Sequence, residues 1–179
     1  KINKNTGNFE IVVMGTRNAQ GLYFDKEKNF ILETEHGPKG GDEVNLVEIE
    51  RINEGSIPNL GWAISSAGEH YPKGNPEKIK ERYKKYPLHK SHKEYGFIEP
   101  LKSFVPSIGI SEIVKVGNNQ YVLGSLRDKS LYFFNLNDQK EIINLERVEV
   151  SERIRDLRFK KNKLFLFLEN TTSIGVINL

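Results

Sequence analysis

Short runs of alternating apolar and polar residues, broken by Gly, Asn, Asp and Lys clusters, make up most of this chain. A period of two predicts β-strands. The first run is Phe9 to Gly15. Gly21 to Phe24, Phe30 to Glu35 and Glu43 to Glu50 follow, and Phe97 to Phe104 reads as extended despite Pro100. A second series comprises Ile108 to Val116, Gln120 to Leu126, Leu131 to Leu136 and Glu141 to Val150. Ile154 to Phe159, Lys163 to Leu168 and Ser173 to Asn178 form a third. One stretch, Pro76 to Tyr86, has helical spacing, with Ile79, Tyr83 and Tyr86 on one face and lysines elsewhere.

Many short antiparallel strands at even spacing fit a sandwich, a barrel or a propeller. Counting in fours favours the propeller, although spacing alone leaves a sandwich open. One orphan strand, two full blades and a final blade one strand short are the inventory of the C-terminal half of a β-propeller. The expected unit is a single all-β domain over 1–179, with an insertion at 72–95 delaying the outer strand of the first full blade.

Composition narrows the classes. The chain has 179 residues, 37% hydrophobic and 28% charged, which is globular rather than disordered. Cysteine is absent, excluding disulfides, thiolate catalysis and zinc–sulfur sites while leaving the compartment open. No apolar run reaches the length of a membrane span. The opening Lys1-Ile2-Asn3-Lys4 has neither a starting Met nor a signal-like stretch. The net charge of +3 is uneven: from Pro72 to Tyr95, eight basic residues face three acidic ones, so that segment is +5 and the rest −2. With only Tyr83, Tyr86 and Tyr95 interleaved, the run reads as a solvated insertion and not as a nucleic-acid platform.

The densest motifs lie early. Gly15-Thr16-Arg17-Asn18-Ala19-Gln20-Gly21-Leu22 is followed by Glu35-His36-Gly37-Pro38-Lys39-Gly40-Gly41-Asp42-Glu43-Val44-Asn45-Leu46. Asn59-Leu60-Gly61-Trp62, Val105-Pro106-Ser107-Ile108, Leu123-Gly124-Ser125-Leu126-Arg127 and Glu152-Arg153-Ile154-Arg155-Asp156-Leu157 come later, in order. This ordered set resembles the glucose/sorbosone dehydrogenase family, six-bladed propeller enzymes that use pyrroloquinoline quinone (PQQ). The resemblance runs from about Phe9 to the C-terminus, outside the basic insertion. It implies an aldose dehydrogenase in which hydride passes from the anomeric carbon to the quinone. Family members are about twice this long, so an N-terminal half is the expected partner that completes the ring. A periplasmic or secreted location is implied, and a homodimer is compatible with it.

Arginine clamps carboxylates well because its planar guanidinium donates two parallel hydrogen bonds. Arg153 and Arg155 lie two apart on a predicted strand and so share a face. Two like charges on one face call for an anion between them. By the resemblance that anion is a PQQ carboxylate; from the residues alone, a solvent-facing pair or one held by Glu152 and Asp156 is equally open. The resemblance also brings Arg17, Asn18 and Arg127 to the cofactor. An Asn-capped turn would explain the first two, and a charged turn with Asp128 and Lys129 the third. It further implies that the carbonyls of Gly37 and Pro38 hold Ca²⁺, which takes oxygen ligands. Asp42 and Glu43 are read as fixing that loop, and His36 as a packing residue. His89-Lys90-Ser91-His92 lacks a third ligand for a metal.

No candidate general base stands in this chain; the family's is a His in the N-terminal half. Lys102, Phe104 and Val105 stand where some members have aromatic residues over the cofactor. A second reading therefore stays open: a non-catalytic propeller of the same family, serving as a binding or assembly module.

Overall fold

A computed structural model describes residues 1–53 and 55–179. Its strands are β1 (Ala19–Asp25), β2 (Phe30–His36), β3 (Asp42–Glu48), β4 (Lys102–Phe104), β5 (Ile110–Lys115), β6 (Gln120–Ser125), β7 (Ser130–Leu136), β8 (Ile142–Glu149), β9 (Ile154–Lys160), β10 (Lys163–Leu168) and β11 (Ser173–Asn178). Helices α1 (Ile49–Asn53) and α2 (Pro76–Lys85) lie between β3 and β4. The strands form three antiparallel sheets in chain order, β1-β2-β3-β4, β5-β6-β7-β8 and β9-β10-β11, the last one strand short. The first strands of successive sheets meet: β5 packs against β1 on one side and β9 on the other. Sheets that gather their first strands in this way are blades around an axis, not the two layers of a sandwich.

Alternation along β6 shows how one strand serves two cores. Tyr121 and Leu123 join Phe30, Leu32, Val44, Ile110 and Phe134 between the first and second sheets. Val122 faces the other way, with Leu131, Ile154, Leu157, Leu164 and Leu166, between the second and third. Gly124 sits where a Cβ would stand 2.9 Å from Ile154 Cγ2, so the third blade closes on bare backbone there. Each fully buried side chain contributes about 1.5–3 kcal/mol.

The two outermost faces remain bare. Leu22 is 68% exposed and Phe24 51% at the first blade, and Ile174 is 60% and Val176 52% at the third. These residues have the strand alternation of a buried face without the neighbour that would bury it.

Three elements differ from the sequence expectation. Phe9 to Gly15 joins no sheet; Met14 gives its N–H to Pro58 O and its carbonyl to Leu60 N–H, both at 2.9 Å, and is held by that loop. β3 ends at Glu48, and Ile49 and Glu50 turn into α1. The outer strand begins only at Lys102: Pro100 has no N–H for a ladder, and pairing with β3 starts at Val44–Lys102.

Candidate functional site

Antiparallel blades place the starts of their first strands and the ends of their second strands on one rim. The residues read as reaching the cofactor or Ca²⁺ fall there. Arg17 and Asn18 precede β1, Gly37 and Pro38 follow β2, Arg127 follows β6, and Arg153 and Arg155 flank the start of β9. Strand topology therefore collects residues spread over more than a hundred positions at one end of the half-ring.

On the first blade, Glu35 organises the rim. It is 3% exposed, and its Oε2 accepts the backbone N–H of Arg17 at 2.5 Å and of Asn18 at 3.4 Å. Burial pushes its carboxyl up, opposed by those two N–H groups and by the Arg17 charge. The Arg17 guanidinium donates to His36 O at 2.7 Å and lies over the Trp62 ring, 5.3 Å from its centre. Asn18 is exposed, and its carbonyl accepts the His36 N–H at 3.0 Å. Arg17 and Asn18 are thus tied directly to the residue before Gly37.

The Gly37-Pro38 turn is sterically closed. A Cβ on Gly37 would stand 1.7 Å from Gly41 O, so only glycine fits. Pro38 O accepts the Gly41 N–H at 3.2 Å. Asp42, 1% exposed, accepts from Ser107 Oγ at 2.7 Å, Gly109 N at 2.7 Å and Ile110 N at 3.0 Å. Glu43, 2% exposed, accepts from Ala67 N at 3.1 Å. Both carboxylates fix loops, as the sequence reading has them. His36 Nε2 is buried without a hydrogen-bond partner among the described residues.

Arg153 and Arg155 converge on one carboxylate, Glu169. Arg153 Nε lies 3.3 Å from its Oε1, and Arg155 Nη2 lies 2.5 Å from its Oε2. Desolvation raises the Glu169 carboxyl, but the hydrogen bond and charge of Arg155, with Arg153 behind them, hold it below its ordinary value. The alternative holders do not reach the pair: Asp156 Oδ1 takes Arg158 at 2.7 Å and Glu152 takes Thr171 Oγ1 at 3.4 Å. Arg153 Nη1 also reaches Leu126 O at 3.4 Å, beside Arg127. Arg127 itself is exposed, with one long contact of 3.5 Å to Ser107 O.

Sequence reasoning missed Glu35 and Glu169. Hairpin arithmetic from Lys160–Lys163 alone would put Glu169 opposite Ile154; a register shift between Phe167 and Leu168 moves it opposite Arg153, where the Glu169 N–H donates to Arg153 O at 2.9 Å. The two histidines of the H-x-x-H run part. His89 stacks on Tyr95 with ring centres 3.7 Å apart, while His92 is buried 3.7 Å from Glu43 and 3.9 Å from Glu99.

Known proteins resemble this chain in sequence and in fold. The model of the family described as Glucose / Sorbosone dehydrogenase matches residues 1–177. The aldose sugar dehydrogenase YliI of Escherichia coli (strain K12) is 26% identical over 158 residues, 83% of this chain and 38% of that protein. The crystal structure of a glucose dehydrogenase superposes with a TM-score of 0.72 at 25% identity, over 97% of this chain and 48% of that one. The PQQ-bound form of an aldose sugar dehydrogenase from Streptomyces coelicolor does so at 0.60 and 20% identity, over 90% of this chain and 40% of that one. The chain spans about half or less of the length of these relatives. It belongs to the glucose/sorbosone dehydrogenase family, and its three blades are the C-terminal half of that family's six-bladed β-propeller.

Proposed function

We propose that this chain supplies the carboxylate-binding half of a PQQ-dependent aldose dehydrogenase. The observation that carries this reading is the arginine pair: Arg153 and Arg155 are already placed to share one carboxylate, that of Glu169. A side-chain carboxylate held there supports a donor set suited to a ligand bearing several carboxylates, as PQQ does. Arg17 and Arg127 add cationic groups on the same rim, and Asn18 a neutral amide. The carbonyls of Gly37 and Pro38, on a turn that admits no side chain, would hold Ca²⁺ beside it.

When bound, PQQ would accept hydride from the sugar's anomeric carbon, with Ca²⁺ polarising the acceptor oxygen. This chain's residues bind and orient. Glu35 fixes the Arg17–Asn18 backbone, His36 O and the Trp62 ring aim the Arg17 guanidinium, and Asp42 ties the first blade to the second. Proton abstraction falls to the N-terminal half, the partner that would cover the bare faces at Leu22 and Ile174. With that reading we place the protein in the periplasm or outside the cell.

A non-catalytic member of the family is favoured by one observation. Phe104, at the position where a lid aromatic would lie, is 8% exposed and packs edge-to-face with Tyr132 in the core, while Val105 is 65% exposed. One experiment separates the two readings. The complete protein is titrated with PQQ in the presence of Ca²⁺, followed by quinone absorbance and by aldose-dependent dye reduction. Stoichiometric uptake with turnover supports the dehydrogenase; no uptake at saturating Ca²⁺ refutes it.

A further inference from the structure

Helix α2 is anchored on the candidate site and presents unpaired lysines to solvent. Its start is well made: Asn75 Oδ1 accepts the Lys78 N–H at 3.0 Å, and Pro76 stands at the first helical position. Its inner face is tied to the preceding loop by hydrogen bonds. Tyr83 Oη donates to Glu69 Oε2 at 2.5 Å and accepts the His70 N–H at 2.9 Å, while Arg82 Nη1 reaches Tyr71 O at 2.8 Å.

Glu69 leads straight to the candidate site. Its N–H donates to Lys39 O at 2.8 Å, one residue past Pro38. The preceding Gly68 lies so close that a Cβ there would stand 2.6 Å from Pro38 O. Lys90 Nζ clamps this junction, 2.7 Å from Glu69 and 2.6 Å from Gly68 O. A single layer of backbone thus separates α2 from the Gly37-Pro38 turn.

The outer face is different. Lys78, Lys80, Lys84 and Lys85 are exposed, and none forms an ion pair among the described residues, although Glu77 and Glu81 share the helix. A merely solvated insertion needs no such anchoring. A rigid cationic surface beside a redox site does what a docking surface requires: it draws in an anionic partner and fixes its approach.

We propose that the solvent face of α2 is the docking surface for an acidic, one-electron redox protein that reoxidises the enzyme. The proposal rests on the dehydrogenase reading above. Each sugar oxidised to its lactone releases two electrons and two protons; the protons go to solvent, and each acceptor takes one electron, so two acceptors are consumed per turnover.

The probe is oxidised plastocyanin, an acidic copper protein reduced from Cu(II) to Cu(I), with basic cytochrome c as the opposite-charge control. Binding to the cofactor-free complete protein is measured by titration calorimetry, and reoxidation of the PQQ-loaded protein by stopped flow. At about 0.01 M salt plastocyanin is expected to bind, and at about 1 M salt to be released. The variant K78E/K80E/K84E/K85E should lose at least about tenfold in both plastocyanin affinity and reoxidation rate, and gain affinity for cytochrome c. The K78Q/K80Q/K84Q/K85Q variant should lie between, and an unchanged circular dichroism spectrum shows that both fold. Equal plastocyanin binding by wild type and variants would overturn the proposal. So would tighter, equally lysine-dependent binding of duplex DNA or anionic vesicles. Plastocyanin binding without PQQ uptake would fail the cofactor reading separately, and would overturn the acceptor assignment by leaving the surface without electrons to pass.

Discussion

Substituting Glu33 with Gln should remove much of the stability loss that the protein undergoes as pH rises from 4.5 to about 8. Glu33 lies on β2 opposite Asn45 on β3, and Glu35 is opposite Glu43 on the same face. Glu33 is 5% exposed, with Oε1 unpartnered among the described residues and Oε2 accepting from Asn45 Nδ2 at 3.0 Å. Desolvation is the main cause that moves its pKa from 4.5 to about 8; the Asn45 hydrogen bond opposes it, and the charges of Glu35 and Glu43 add to it. Below pH 4.5 the carboxyl is protonated whether the chain is folded or unfolded. As pH rises from 4.5, the unfolded chain releases the proton while the folded one keeps it until about 8, so stability is lost across that window. At about 1.4 kcal/mol per unit, the full loss is about 5 kcal/mol. Glutamine keeps the shape and an acceptor for Asn45, and it cannot ionise. Relative to wild type, E33Q should show little gain near pH 4 and a gain of several kcal/mol by pH 8. Urea unfolding of the complete protein across this range reads the difference. Parallel stability–pH curves for the two proteins would refute the reasoning.

Replacing Arg155 by Ala should weaken PQQ binding by about 1.5–3 kcal/mol, the scale of a charge-assisted hydrogen bond, read by quinone titration. Asp42→Ala removes the acceptor of three donors at the junction of the first two blades and should cost about 3 kcal/mol in urea unfolding. Gly37→Ala forces a Cβ against Gly41 O and should lower the melting temperature and abolish Ca²⁺-dependent PQQ uptake together. Residues 1–179 expressed alone should self-associate or unfold without a sharp transition, because faces such as that of Ile174 and Val176 stay open; a monomer with a sharp thermal transition in sedimentation and calorimetry would contradict this.

The sequence by itself determined what depends on short range. Period-two runs located the strands of all three blades, since alternation is the local mark of a pleated ribbon with two faces. Helical spacing located α2 from its first residue to within one residue of its end, because a period of 3.6 is a local mark. The two-residue separation of Arg153 and Arg155 was enough to put them on one side. Tertiary structure decided the rest. Glu33, Thr34, Glu35, Glu43 and Asn45 are polar strand residues that are nonetheless buried, and the loop through Ser66 and Ala67 and the buried His92 pack against Glu43. That burial, and not the residues' own chemistry, raises the carboxyl pKa values. Which carboxylate holds the arginine pair depended on the register shift between Phe167 and Leu168, which the strands' periodicity does not encode. Nor could local pattern show that Phe9 to Gly15 joins no sheet, since Met14 is held by backbone more than forty residues away. Hydrogen bonds and burial between distant segments are set by the packing of whole blades, and a strand's own periodicity carries no record of which neighbour will cover it.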